Sequence, residues 1–358
     1  MNLETPKKFA MLIEQAKQVA DNFYRPISRK YDRAEHAYPK ELDLLASLLD
    51  GMNEGSDEAT GATSASKRPS TGDTTGVRNG GNLSAALGAM ELCRGDVGLL
   101  LSIPRQGLGN AAIAAVANDE QLARFKGKWA AMAITEPSCG SDSAAIRTTA
   151  VKDGDDYILN GEKIYVTAGA RAECVVVWAT LDKSLGKAAI KSFVVEHGTP
   201  GMEVTRLEHK LGIKASDTAA INFTDCRVPA ANLLGTPEID LQKGFAGVME
   251  TFDNTRPLVA AMAVGVAAAA IERMKTLLAE HIDPNYATLP LNSTHAEATL
   301  YRLEAEWEAA RLLTLKAAWM ADNKKPNSKE ASICKAKAGR VANEVTLKCV
   351  ELAASLGY

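Results

Sequence analysis

The feature that most constrains this fold is a change of hydrophobic period. Up to about residue 128 apolar residues recur at helical spacing, from Trp129 to about residue 237 they fall into short alternating runs, and from Leu241 the helical spacing returns. The runs Thr148–Val151, Tyr157–Leu159, Lys163–Thr167, Cys174–Thr180, Ser192–Glu196, Met202–Leu207 and Ala219–Asp225 read as strands. Turn residues such as Asp153-Gly154 and Asn160-Gly161 separate them, and both pairs predict tight hairpins. Close antiparallel pairing is the economical arrangement. Within Glu162–Thr167, strict alternation places Ile164 and Val166 on one face and Lys163, Tyr165 and Thr167 on the other. The chain is therefore expected to be α+β in three blocks: an N-terminal helical domain (1–128), a central β domain (129–237) and a C-terminal helical bundle (238–358).

The helical blocks have their own punctuation. Phe9, Leu12, Ile13, Ala16, Val19, Ala20 and Phe23 predict an amphipathic helix that ends at Arg25-Pro26. Between Gly51 and Asn82 the sequence is Gly, Ser, Thr, Asp and Asn with almost nothing apolar, which predicts a long loop. Helical character resumes from Leu83 to about Phe125, and later at Pro257–Met274, Ala296–Met320 and Lys329–Leu356. No run reaches the roughly 18 apolar residues of a spanning helix, and no signal-like segment opens the chain. A net charge of -3 gives no footprint for nucleic acid or an anionic membrane. Six cysteines without a CxxC, and no histidine cluster, predict reduced thiols, no zinc site and a cytoplasmic setting.

Two glycine-bearing segments bear on chemistry. Gly107-Leu108-Gly109-Asn110-Ala111-Ala112 fits a dinucleotide fingerprint, but Pro104 precedes it where a strand should end and no βαβ unit surrounds it. Its glycines are expected to let two helices meet. Thr135–Asp142 (TEPSCGSD) differs, because it leaves a β run as a loop of small and hydroxyl residues whose backbone N–H groups can approach a ring or a phosphate. On the strand that follows, Tyr165 can lie flat against a ring with the Thr167 hydroxyl beside it.

Four segments then recur in order: AITEPSCGSD, NGEKIYVT, KLGIKASDTAAINFTDCRVPAANLLG (Lys210–Gly235) and KGFAGVMETFDNTRPLVAAMAVG (Lys243–Gly265). With GLGN and Asn118–Phe125 before them, they make nearly the whole chain resemble the acyl-CoA dehydrogenase family, and most nearly the subunits of bacterial heteromeric acyl-CoA dehydrogenases. The resemblance implies FAD as cofactor and α,β-dehydrogenation of an acyl-CoA thioester in β-oxidation. It implies that Met132, Ile134 and Thr135 line the flavin ring and that Gly140 and Ser141 lie beside cofactor and substrate. Tyr165 stands where the family usually stacks a Trp, and Thr167 where a hydroxyl meets the flavin. Asp253 and Arg256, i and i+3 on one helix, match positions that contact the CoA part of the substrate. Electron-transfer flavoprotein is the implied electron acceptor.

Two departures from the family bear on the assembly. The family's catalytic glutamate usually follows a stretch like the one beginning at Ser355-Leu356-Gly357-Tyr358, so it is expected beyond Tyr358 or on a partner. Some members place it where this chain has Thr255, which cannot act as that base. Leu278–Leu291 stands where an RxxFG motif usually reaches the neighbouring FAD, and it has no Arg. An oligomer is expected, namely a heterotetramer with a second related subunit. An acyl-CoA oxidase and a non-catalytic partner subunit are the alternatives.

Overall fold

The computed structural model describes residues 6–54, 80–105, 108–241, 246–279 and 294–357. Its helices are α1 (Ala10–Val19), α2 (Arg25–Arg33), α3 (Glu41–Glu54), α4 (Gly81–Leu92), α5 (Val97–Leu101), α6 (Leu108–Val116), α7 (Asp119–Phe125), α8 (Ala246–Leu278), α9 (His295–Asp322) and α10 (Ser328–Ala353). Its strands are β1 (Ala130–Ala133), β2 (Thr149–Asp153), β3 (Asp156–Thr167), β4 (Cys174–Thr180), β5 (Ile190–Glu196), β6 (Met202–Leu207) and β7 (Thr218–Pro229). The α+β class and the helical, β, helical order follow the change of period along the sequence. Packing groups the chain into two compact units, one of Met1–Ser28, Gly72–Leu100 and Asp253–Tyr358 and one of Arg29–Thr71 and Leu101–Phe252.

In the helical unit, α4, α8, α9 and α10 enclose an apolar core that includes Leu87, Met90, Val264, Ile271, Leu300, Leu303, Ala338 and Val345. Gly265 lets α8 touch α4, since a Cβ there would stand 2.2 Å from the Met90 carbonyl oxygen. The buried Asp322 carboxylate, at the end of α9, accepts the Asn82 and Leu83 N–H groups at 2.8 and 3.0 Å. It thereby satisfies donors that the first turn of α4 leaves unpaired. A Thr294–Glu297 capping box starts α9. Two expectations change here. The first helix does not stop at Arg25-Pro26: a π-turn over Ala20–Tyr24, with the Arg25 N–H bonded to the Ala20 carbonyl, carries it into α2. The wider turn accommodates a residue that lacks a donor and crowds the preceding carbonyls. Thr255–Leu278 is also long and apolar enough to cross a membrane by length and composition. Seven of its residues, Ala260, Ala261, Val264, Ala267, Ile271, Met274 and Leu278, are instead buried in this core.

The predicted loop from Gly51 begins later than expected, because α3 continues through Gly51 to Glu54 at the modest cost of one helical glycine. The remainder of that segment, residues 55–79, lies outside the described residues.

In the β unit the sheet order is β1-β4-β2-β3-β7-β6, with β5 also paired to β4. The expectation of antiparallel pairing holds for β2–β3, β3–β7, β4–β5 and β6–β7, but β1 and β2 both pair with β4 in parallel. The Asp153-Gly154 turn closes the β2–β3 hairpin. Asn160-Gly161 does not make a turn: β3 runs straight through it, with Gly161 at φ +155° and its missing Cβ 2.4 Å from Thr148 Oγ1. The second fingerprint glycine, Gly109, also serves close packing, but of helix on strand and not helix on helix. A Cβ there would lie 2.2 Å from the Ala131 carbonyl oxygen. Gln106 and Gly107 lie outside the described residues.

Candidate functional site

The site begins with two compensating register shifts in β3. Against β7, one shift falls between Leu159 and Gly161 and the other between Lys163 and Val166, so that alternation is restored by Val166 and Thr167. The second leaves an extra residue on β3, and Tyr165 takes φ +58° there. Lys163, expected beside Tyr165, is instead turned inward and fully buried, whereas Tyr165 is 63% exposed. A bulge re-aims side chains that simple alternation would pair.

Lys163 is what ties the glycine-bearing loop to this strand. Its ammonium lies 2.8 Å from Glu136 Oε1 and 3.1 Å from the Ile134 carbonyl oxygen. The Glu136 carboxylate also accepts the Arg147 and Thr148 N–H groups at 2.7 and 2.9 Å and the Thr148 hydroxyl at 2.6 Å. Burial alone pushes the Glu136 carboxyl up, but Lys163 and these hydrogen bonds together hold it below its ordinary value. Burial lowers the Lys163 ammonium, and Glu136 offsets part of that. The Ile164 N–H donates to the Thr135 carbonyl at 2.9 Å, completing the suture. Mutual bonds between Glu136 and Cys139 then close a turn that leaves Pro137, Ser138, Gly140, Ser141 and Asp142 exposed.

The β unit therefore carries all seven residues expected at a flavin. Thr135, Gly140, Ser141 and Tyr165 are open or half-open, Thr167 is half-buried, and a Cβ on Gly140 would meet only Thr135 Cγ2, at 3.8 Å. These residues fit a planar aromatic ligand: an exposed ring, neighbouring hydroxyls and a loop whose glycine admits close approach. Met132 is half-buried and packs against an apolar cluster, while Ile134 is buried in that cluster and its carbonyl is occupied by Lys163. Sequence reasoning missed Glu136, Lys163 and Asp217. The buried Asp217 accepts the Ala170 N–H at 3.0 Å, pairs with Arg171 Nε at 3.3 Å and takes the Ala168 N–H on its carbonyl, bracing the backbone just after Thr167. Lys163 stands between Glu162 and Ile164, so nothing in its immediate neighbours marked it as buried.

Asp253 and Arg256 belong to the helical unit. They form the expected i, i+3 pair at 3.1 Å on α8, and Ser328 donates to the second Asp253 oxygen. Pro257 follows Arg256 inside the helix and offers no N–H to the Asp253 carbonyl. Thr255 is buried. Residues 280–293, which include most of Leu278–Leu291, and Tyr358 lie outside the described residues.

Comparison with known proteins bears on the fold. The family described as "Acyl-CoA dehydrogenase, middle domain" matches residues 131–226, and "Acyl-CoA dehydrogenase, C-terminal domain" matches residues 242–358. The short-chain specific acyl-CoA dehydrogenase of Bos taurus is 33% identical, with 100% of this chain and 83% of that protein covered. An acryloyl-CoA reductase (NADH) of Anaerotignum propionicum is 30% identical over 100% of this chain and 87% of its own. Among solved structures, butyryl-CoA dehydrogenase from Megasphaera elsdenii superimposes with a TM-score of 0.83 at 29% identity, covering 100% of this chain and 91% of that one.

Proposed function

Since the chain belongs to the acyl-CoA dehydrogenase family, we propose that it is a subunit that covers one face of an FAD and takes part in the α,β-dehydrogenation of an acyl-CoA thioester in β-oxidation. The observation that carries this reading is Tyr165, an exposed aromatic ring on a positive-φ bulge fastened to the Thr135–Ser141 loop through the Ile164–Thr135 hydrogen bond. FAD, when bound, supplies the two-electron acceptor.

This chain's own residues position and exclude. Tyr165 offers a stacking surface and Thr167 a hydroxyl at its edge. Thr135, Gly140 and Ser141 line the ring and keep water from it, while Glu136, Lys163 and Asp217 hold that wall rigid. Arg256, kept in place by Asp253, meets the CoA part of the substrate. Thr255 is a hydroxyl and takes no α-proton at neutral pH. The base is a carboxylate beyond Tyr358 or on a second, related subunit in a heterotetramer. Electron-transfer flavoprotein reoxidises the complex, in the cytoplasm.

The test is flavin content and anaerobic flavin reduction by acyl-CoA, measured for the chain alone and with its candidate partner. A colourless or weakly loaded chain that becomes yellow and reducible on assembly supports the shared site. A fully loaded, active homotetramer refutes the sharing, and an assembly that never binds flavin refutes the cofactor assignment. A second reading, reduction of a 2-enoyl-CoA, is favoured by the identity to acryloyl-CoA reductase. Consumption of NADH with acryloyl-CoA distinguishes it, and release of hydrogen peroxide on turnover would mark an oxidase.

A further inference from the structure

Read along the sequence, the histidines form no cluster. Folding of the β unit changes this, because the turn after α2 carries Glu35 and His36 to His209, in the connection between β6 and β7. One ligand atom from each of the three lies within 4.8 Å of the others. Glu35 Oε2 is 3.0 Å from His209 Nδ1, and the two imidazole rings meet edge-on with centroids 5.1 Å apart.

His36 is the unusual member. Its backbone sits at φ +69°, and both of its ring nitrogens are buried without a hydrogen-bond partner. An imidazole so placed has lost water and gained nothing in return. Strained, unsatisfied groups of this kind concentrate where a ligand completes the site. We propose that Glu35, His36 and His209 form a three-ligand site for a divalent cation of the zinc class. One His36 nitrogen takes the ion, with Glu35 and His209 closing on it from either side.

The donor set selects the ion. Two imidazoles with one carboxylate suit Zn²⁺ or Co²⁺, whereas Ca²⁺ and Mg²⁺ require oxygen-rich shells. Three protein ligands leave a fourth tetrahedral position for water. The surroundings favour the geometry: the Lys210 N–H donates to Glu35 Oε1 at 2.9 Å and orients the carboxylate. The Lys210 ammonium is turned toward the Ser216 carbonyl and the Thr218 hydroxyl. All six cysteines are buried and offer no exposed competing thiolate. Binding fastens the turn after α2 to the segment carrying Lys210–Asp217, part of the third landmark segment, and stabilises the β unit by linkage.

The experiment uses the full chain after chelator dialysis. Zn²⁺ is titrated by calorimetry, Co²⁺ is followed by its visible tetrahedral bands, and melting is recorded with and without Zn²⁺. Wild-type protein is expected to bind one ion per chain at micromolar concentration or tighter and to melt higher with it. His209→Gln, at a side chain 84% exposed, and His36→Gln are each expected to weaken binding at least tenfold and abolish the melting shift. If His36→Gln does not fold, His209→Gln alone decides. Absence of saturable binding in the wild type, or binding unchanged in His209→Gln, overturns the proposal.

Discussion

Replacing Lys163 by Met removes the cation from a fully buried pair and leaves the Glu136 carboxylate at 4% side-chain exposure with the Arg147 and Thr148 N–H groups, the Thr148 hydroxyl and the weak Cys139 thiol as its remaining donors. Breaking one side of a buried pair costs about 3–5 kcal/mol, because the surviving charge is stranded. With a urea slope near the upper end of the usual range, that loss lowers the unfolding midpoint by roughly 1–2 M. The β unit carries its own reporters, Trp129 and Trp178. Glu136→Gln combined with Lys163→Met is expected to recover part of the loss, since no charge remains buried. Recovery stays incomplete because an amide cannot accept all the bonds the carboxylate does. FAD binding is expected to weaken in step, as Lys163 also holds the Ile134 carbonyl. The pH dependence has a definite sign. Glu136 has a folded pKa below its unfolded one, so its contribution is present above the unfolded value of about 4.3 and is lost as pH falls through the folded one. A single Lys163→Met variant that loses less than about 1 kcal/mol, the range of an exposed pair, would refute the view that this pair sets the wall.

Tyr165→Ala is expected to leave stability within about 0.5 kcal/mol of wild type, as an exposed residue, while flavin retention on gel filtration falls; unchanged retention counts against its stacking role. Asp322→Ala strips the start of α4 of two hydrogen bonds from a charged acceptor, and a loss of about 1–3 kcal/mol in urea titration is expected. Arg256→Ala is expected to raise the KM for acyl-CoA about tenfold in the assembled enzyme, equivalent to roughly 1.4 kcal/mol, and identical kinetics would remove Arg256 from the substrate site.

Much of this molecule is local information. The switch from helical to alternating spacing near Trp129 and back near Leu241 is written in neighbours two to four residues apart, which is why α+β class, the strands from Thr149 onward and the long C-terminal helices were legible. The loop Thr135–Asp142 and the pair Asp253–Arg256 were legible for the same reason, one by its glycine and hydroxyls, the other by i, i+3 spacing. Partners distant in sequence decided the rest. Asn160-Gly161 reads as a hairpin until β7 is laid beside it, and the shifts against Ile221 and Phe223, some sixty residues away, turn it into a bulged continuous strand. The same pairing reverses the face of Lys163, because a bulge moves side chains by one pleat and only the partner strand sets where it falls. His36 and His209, far apart in the chain, share a site only because the turn after α2 packs against the β6–β7 connection. Sequence by itself determined which segments become helix or strand and where the loop of glycine and hydroxyl residues lies; tertiary pairing decided which side chains of that loop and of the neighbouring strand are turned outward, since register and burial depend on contacts that no local window contains.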